Sequence, residues 1–413
     1  MSKQTLDILL WGASGFTGQL VAEYLARSPA ATSLRWALGG RSRDKLERVR
    51  RDLAAIDPRF EALEIRIADS HDRASLEALV DGVRVVCTTV GPYALYGDAL
   101  VDVCARFGVH YCDLTGETPW MKQTIAAFDE VARDSGARIV HTCGFDSIPS
   151  DLGVHVVQEH AKRTLGEPCD EIAFVVREMR GELSGGTVAS MLALADGMKD
   201  RETRRALGDP YALDPPGGLR GPDGSDQRGV GYASTLGTHT APFIMAGVNT
   251  RVVRRTNALL GYPYGERFSY HESMGTGAGP AGFARALAFT GAMYGFFAAL
   301  GVKPLRQLLA DKVLPKPGEG PSREKREAGG FTITLVGKIA GTPRVRGTVI
   351  GTKDPGYGET AKMLGESALC LALDGDTLPW SGGGVLTPAA CMGAVLVERL
   401  RRAGMTFDAQ AWS

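Results

Sequence analysis

The chain has no Cys-x-x-Cys, His-x-x-x-His or His-Glu-x-x-His spacing anywhere in its 413 residues. Its seven cysteines, at 87, 104, 112, 143, 169, 370 and 391, are odd in number and scattered. That pattern argues against a disulfide framework and a zinc site, implies no metal, and suits a reducing cytoplasm. Charge of one sign is not in excess: Lys plus Arg number 47, and Asp plus Glu also number 47. Without a basic block the footprint of a nucleic-acid binder is missing, so no nucleic-acid partner is expected. No Tyr-x-x-x-Lys pair occurs, so the tyrosinate device of short-chain dehydrogenases is absent. No basic region followed by an apolar leader precedes the first strand, which predicts a cytoplasmic protein.

What is present starts at once. Residues 7–18, Asp-Ile-Leu-Leu-Trp-Gly-Ala-Ser-Gly-Phe-Thr-Gly, form an apolar run that breaks into Gly12, Gly15 and Gly18. A helical pattern follows through Leu20, Val21, Tyr24 and Leu25. Strand, glycine turn and helix start make a pyrophosphate cradle, because a helix N-terminus offers unpaired N–H groups and the positive end of its dipole. Ser14, Phe16 and Thr17 join the three glycines as cofactor-binding candidates. The next strand ends in Gly39-Gly40-Arg41-Ser42-Arg43-Asp44-Lys45, without the acid that an NAD-binding unit places there for the ribose hydroxyls. Arg41 and Ser42 suit a 2′-phosphate, with added charge from Arg43 or Lys45, so NADP is the expected cofactor.

The pattern then repeats. Strands are expected at 63–69, 83–90, 110–114 and 138–142 with helices between them, giving six strands in about 142 residues, the size of one doubly wound parallel domain. After Pro149 the alternation stops. Extended stretches at 171–179, 250–256, 267–274, 331–339 and 344–352 predict a second α+β domain with a mixed, mostly antiparallel sheet. A Pro/Gly/Asp-rich stretch from Asp209 to Gly237 reads as a long surface loop. The tail reads as a helix with Thr387 as N-cap and Pro388 at its first position, returning to the first domain. The expected division is 1–150 for cofactor, 151–380 for substrate, and 381–413 for the returning tail.

Ligands of doubly wound folds lie outside the carboxyl ends of the strands, so chemistry is sought in those loops. The fourth strand ends in Thr88-Thr89-Val90-Gly91-Pro92-Tyr93, where Thr89, Gly91 and Pro92 flank the cofactor and Tyr93 and Tyr96 are expected to turn a phenol toward the cleft. Asp69 ends the third strand and completes the cofactor set. The fifth ends in Asp113-Leu-Thr-Gly-Glu117, and the sixth in Cys143-Gly-Phe-Asp146-Ser-Ile-Pro-Ser-Asp151. Asp113 and Asp146 serve either as caps or as catalytic acids. Cys143 reads as a small buried hydrophobe, since no His-Asp set accompanies it. Ser184-Gly-Gly-Thr187 opens a further helix and offers N–H groups to a substrate oxygen. Tyr93 is the first candidate for proton donor, followed by Asp146 and Thr187.

Taken together, Gly12–Gly18, Gly39–Ser42, Thr88–Tyr93, Asp113–Glu117, Cys143–Asp151, Pro315–Ser322 and Gly384–Ala390 resemble the saccharopine dehydrogenase-like oxidoreductases. Within these the chain is most similar to the trans-acting enoyl reductases of mycobacterial lipid assembly, nearly end to end. The resemblance implies reduction of an α,β-double bond on a small or carrier-bound acyl substrate of polyketide or lipid type. Two other readings stand beside it. One is an imine reductase of amino acids, with Arg251, Arg254 and Arg255 on a strand as carboxylate clamps. The other is a non-catalytic NADP-binding or lipid-associated protein.

Residues 286–302 carry no charge. As a helix this run is about 25 Å long, just short of a bilayer core, and charged residues flank it closely, so a transmembrane span is not expected. It reads as a buried helix or homodimer face, or as an acyl-chain wall or a peripheral membrane or lipid contact.

Overall fold

The computed structural model describes residues 6–181, 190, 192, 196–302, 304–307 and 320–413. Segment 184–187, with Thr187, lies outside the described residues, as do residues 315–319.

The first half alternates β1 (Leu6–Trp11), α1 (Phe16–Arg27), β2 (Trp36–Gly40), α2 (Arg43–Ala54), β3 (Glu64–Ile67), α3 (Arg73–Val80) and β4 (Val83–Thr88). It continues through α4 (Tyr93–Tyr96), α5 (Asp98–Phe107), β5 (His110–Cys112), α6 (Thr118–Ser135), β6 (Arg138–Val140) and α7 (Ile148–Leu165). Next come β7 (Glu171–Arg180), α8 (Arg201–Gly208), β8 (Gly231–Ala233), β9 (Thr238–Pro242), α9 (Ala246–Leu259), β10 (Ser269–Gly277) and α10 (Gly279–Gly301). The chain closes with α11 (Arg323–Glu327), β11 (Gly330–Ile339), β12 (Thr342–Gly351), α12 (Thr360–Leu373), β13 (Gly384–Leu386), α13 (Pro388–Arg402) and β14 (Thr406–Ala411).

The first sheet runs β13-β6-β5-β4-β1-β2-β3 and all its neighbours pair in parallel. Its central strands are apolar almost throughout, because helices cover both faces: every β1 residue but Asp7 is buried. Strand order reverses between β1 and β4, so a crevice opens at their carboxyl ends. Helix α12 packs over β1, β4 and β5 beside α1. The second sheet runs β14-β12-β11-β7-β10-β9-β8, with β7 and β10 parallel and its other neighbours antiparallel. This is the doubly wound sheet plus mixed second sheet that the sequence predicts.

Three features differ from expectation. The stretch 250–256 is not a strand but the middle of α9. Its β-branched residues favour a strand locally, but nearly every side chain from Asn249 to Asn257 is buried, and burial around the whole circumference overrides that weak propensity. The tail supplies more than a helix: β13 extends the parallel sheet beside β6, and β14 pairs with β12 at the edge of the second sheet. Thr387 occupies the N-cap position of α13 without a side-chain capping bond. Asp151 caps that helix from α7 instead, accepting from the Ala389 N–H at 2.7 Å. Finally, α10 is no core helix, since only Gly282, Ala286 and Leu300 of its residues are buried.

Candidate functional site

The glycine turn is built by close approach. Gly12 has φ +87°, and a Cβ there would stand 2.7 Å from Val90 Cγ2 and 2.8 Å from Thr89 Oγ1. Thr89 in turn donates through Oγ1 to the Gly12 carbonyl at 3.3 Å and through its backbone N–H to Trp11 O at 3.0 Å. The ends of β1 and β4 are thereby locked together. Gly18, in the first turn of α1, packs against Gly12 with no room for a side chain. Helix α1 has no side-chain cap at its N-cap Gly15, which is exposed. Its first N–H groups are therefore free for an anion. Ser14, Phe16 and Thr17 lie half-buried around the turn. Phe16 meets Tyr357 edge to face at 4.8 Å and Arg326 lies over its ring, so the turn is held by the segment after β12 as well as by its own strand.

The backbone N–H groups of Gly12 and Ala13 donate to the Gly39 carbonyl, which places the end of β2 beside the turn. Arg41 and Lys45 are exposed and pair with no acid among the described residues, while Ser42 is the N-cap of α2 with no side-chain capping bond. Asp69 is exposed and accepts from the His71 N–H at 2.9 Å. Gly91 and Pro92 are joined by a cis peptide at the end of β4. An exposed uncapped helix start, a turn that only glycines can make and an unpaired arginine after β2 fit a dinucleotide bearing a 2′-phosphate.

Tyr93 is placed otherwise than expected. Its ring is 3% exposed and stacks on Trp120 at 5.4 Å. Its hydroxyl donates to Thr88 O at 3.3 Å and accepts from Leu114 N at 3.4 Å, so the phenol stitches β4 to β5 rather than facing the cleft. Burial, then the charge of Asp113, push its pKa well up. Glu117 holds the start of α4, accepting from the N–H groups of Tyr93 at 3.0 Å and Ala94 at 2.8 Å. Asp113 is fully buried and spends both oxygens on structure: Oδ2 accepts from Tyr111 Oη at 2.9 Å and pairs with His141 Nδ1 at 2.7 Å. Oδ1 accepts from the N–H groups of Thr115 and Thr142. His141, which the sequence reading did not single out, is closed off at Nε2 by Thr124 Oγ1 at 3.0 Å.

Asp146 stands apart from these engaged acids. A Cβ on Gly116 would lie 3.6 Å from its Oδ1, 3.7 Å from Met245 Cε and 3.9 Å from Val248 Cγ2. The bare Gly116 backbone, Asp146, Met245 at the N-cap of α9 and Val248 within it thus meet beyond the ends of β5 and β6. Burial, with the charge of Asp113 adding to it, raises the Asp146 pKa to about 7. Such a carboxyl is a proton donor at neutral pH. Met245 and Val248 fall outside the stretches singled out from sequence; the i, i+3, i+4, i+7 spacing of Asn249, Val252, Val253 and Thr256 is the signal of the helix that carries Val248.

The arginines nominated as carboxylate clamps are buried on α9 and already paired through their terminal nitrogens. Arg251 pairs with Asp226 at 2.8 Å and donates to Leu207 O at 2.7 Å. Arg254 pairs with Asp223 at 2.7 Å and donates to Pro210 O and Tyr270 O. Arg255 donates to Leu213 O and Val385 O. The 209–237 stretch is thereby tied to α9.

The comparisons agree with this geometry. The saccharopine dehydrogenase NADP binding domain matches residues 8–140. A Mycobacterium tuberculosis protein that carries the trans-acting enoyl reductase name provisionally is 43% identical over 414 residues, covering 97% of both chains. Trans-acting enoyl reductases of Mycobacterium bovis and Mycobacterium ulcerans are 40% and 39% identical, covering 98% and 99% of this chain and 97% and 98% of theirs. Apo saccharopine dehydrogenase (L-Glu forming) from Saccharomyces cerevisiae shares the fold, with a TM-score of 0.54 at 14% identity over 98% of this chain and 99% of its own. A turn only glycines can form, an unpaired arginine at the end of β2 and relatives matching end to end lead to one assignment: the chain belongs to the saccharopine dehydrogenase-like family, with the trans-acting enoyl reductases, and is an NADP-dependent oxidoreductase.

Proposed function

We propose that this protein reduces the α,β-double bond of an acyl thioester of polyketide or lipid type. The observation that carries the choice is the state of Arg251, Arg254 and Arg255. An imine reductase of amino acids needs free cations for substrate carboxylates, and these three are already committed to Asp226, Asp223 and backbone carbonyls. Beside Asp146 the Gly116 backbone is instead approached by the apolar side chains of Met245 and Val248, neighbours that suit an uncharged chain. The names of the relatives support the same reading.

NADPH, when bound, supplies the hydride that goes to the β-carbon. The chain's own residues do the rest. The first N–H groups of α1 hold the pyrophosphate, and Arg41 and Ser42 hold the 2′-phosphate. Met245 and Val248 keep water from the reacting carbons. Asp146 gives its proton to the α-carbon as the double bond is lost, which balances the hydride.

The test is NADPH oxidation with a series of 2-enoyl thioesters and, separately, with amino-acid and oxo-acid pairs. Turnover of the thioesters is the expected result. Turnover confined to the amino-acid and oxo-acid pairs overturns the proposal.

A further inference from the structure

A helix that is apolar on every side belongs either in a protein core or in lipid. Beyond Arg285, helix α10 carries no charge on any side, and it is not in the core. From Ala286 to Val302 no charged residue occurs on any face, and by length and composition the helix could cross a membrane. A narrow stripe of Gly282, Ala286 and Leu300 is covered, where the helix packs on β9 and β10. Phe283, Leu287, Tyr294 and Phe297, which recur at helical spacing on one side, are 47%, 58%, 47% and 39% exposed.

We infer that α10 is a monotopic membrane anchor, lying in the plane of one leaflet with this side among the acyl chains. It does not span. The strand before it, β10, and the strand after it, β11, belong to the same sheet, so both ends return to one body. A second copy of the chain fits less well, because the helix offers no charged residue from 286 to 302 to pair across an interface. Charge complementarity also favours lipid. A groove of about 500 Å³ runs beside α10, lined by Met179, Met274 and Phe289 with Arg177 and Arg285, and no acid among the described residues lines it. Arg177 on β7 and Arg285 in α10, neither paired with an acid among the described residues, match anionic headgroups above acyl chains.

The experiment is flotation of the full chain with vesicles of phosphatidylcholine and phosphatidylglycerol, with no turnover required. The wild type is expected in the vesicle fraction. The triple variant Phe283→Ser, Leu287→Ser, Phe297→Ser changes exposed positions only and is expected in the aqueous fraction, with unchanged melting temperature. A Leu287→Trp variant should be quenched by lipids brominated in their acyl chains. Wild type that stays in the aqueous fraction, or a triple variant that still floats, overturns the inference. So does a wild-type dimer that the triple variant converts to monomer without vesicles, since the helix is then covered by a second copy.

Discussion

Gly18 packs so tightly on the carbonyl of Gly12 that any side chain at 18 would enter the space of that oxygen. The start of α1 is thereby pulled onto the end of β1, and its N–H groups are aimed at the crevice between β1 and β4. Gly18→Ala must push the turn open. It should cost about 1–3 kcal/mol of stability, as overpacking does, and weaken NADPH about tenfold or more. Chemical denaturation and cofactor titration measure the two effects.

Arg41 is exposed and pairs with no acid among the described residues, so its loss should leave the fold intact. Arg41→Ala should weaken NADPH by about 1.5–3 kcal/mol and spare NADH, because only the 2′-phosphate loses its partner. Equal weakening of both cofactors would place the arginine elsewhere in the site.

For Asp146 the sign follows from burial. Its pKa is raised from 3.8 to about 7, so the proton-donating form is present below that pH and lost above it. Turnover should fall as pH rises through about 7, and Asp146→Asn should lower it about 100-fold or more with NADPH affinity retained. Protonation of this half-buried acid also stabilises the fold: the contribution is fully present below pH 3.8 and lost as pH rises through about 7. Denaturation across that window should show a flatter profile for the Asn variant.

Tyr93 gives the contrasting outcome. Among the described residues its hydroxyl bonds only backbone groups, at Thr88 and Leu114. Tyr93→Phe should therefore cost about 1 kcal/mol of stability and leave turnover within a few-fold of wild type. A hundredfold loss of rate with unchanged stability would return the proton-donor role to Tyr93.

Arg254 tests the committed-arginine argument. Its pair with Asp223 is buried on both sides, at 4% and 7% side-chain exposure. Arg254→Ala strands that carboxylate and should cost about 3–5 kcal/mol of folding stability. A rise in KM for a carboxylate substrate with stability unchanged would instead make the residue a clamp.

What the sequence by itself determined is local. The glycine turn, the missing acid after β2 and the alternation of strands with helices are written in short stretches, because steric demands at Gly12 and Gly18 and the period of apolar residues need no distant partner. The end of that alternation after Pro149 marked a second domain, and the family resemblance added the reaction class. What only the tertiary structure decided depends on neighbours remote in the chain. Residues 250–256 became a helix because burial on all sides outweighed β-branched propensity. Tyr93 turned inward because Trp120 offered a stacking surface and Leu114 a hydrogen bond. Asp113 and Asp146 end adjacent strands of the same sheet, yet one is consumed by Tyr111 and His141 while the other stands beside Gly116, Met245 and Val248. Nothing in either local sequence separates a structural carboxylate from an available one, because that difference is set by which donors the fold brings within hydrogen-bonding reach.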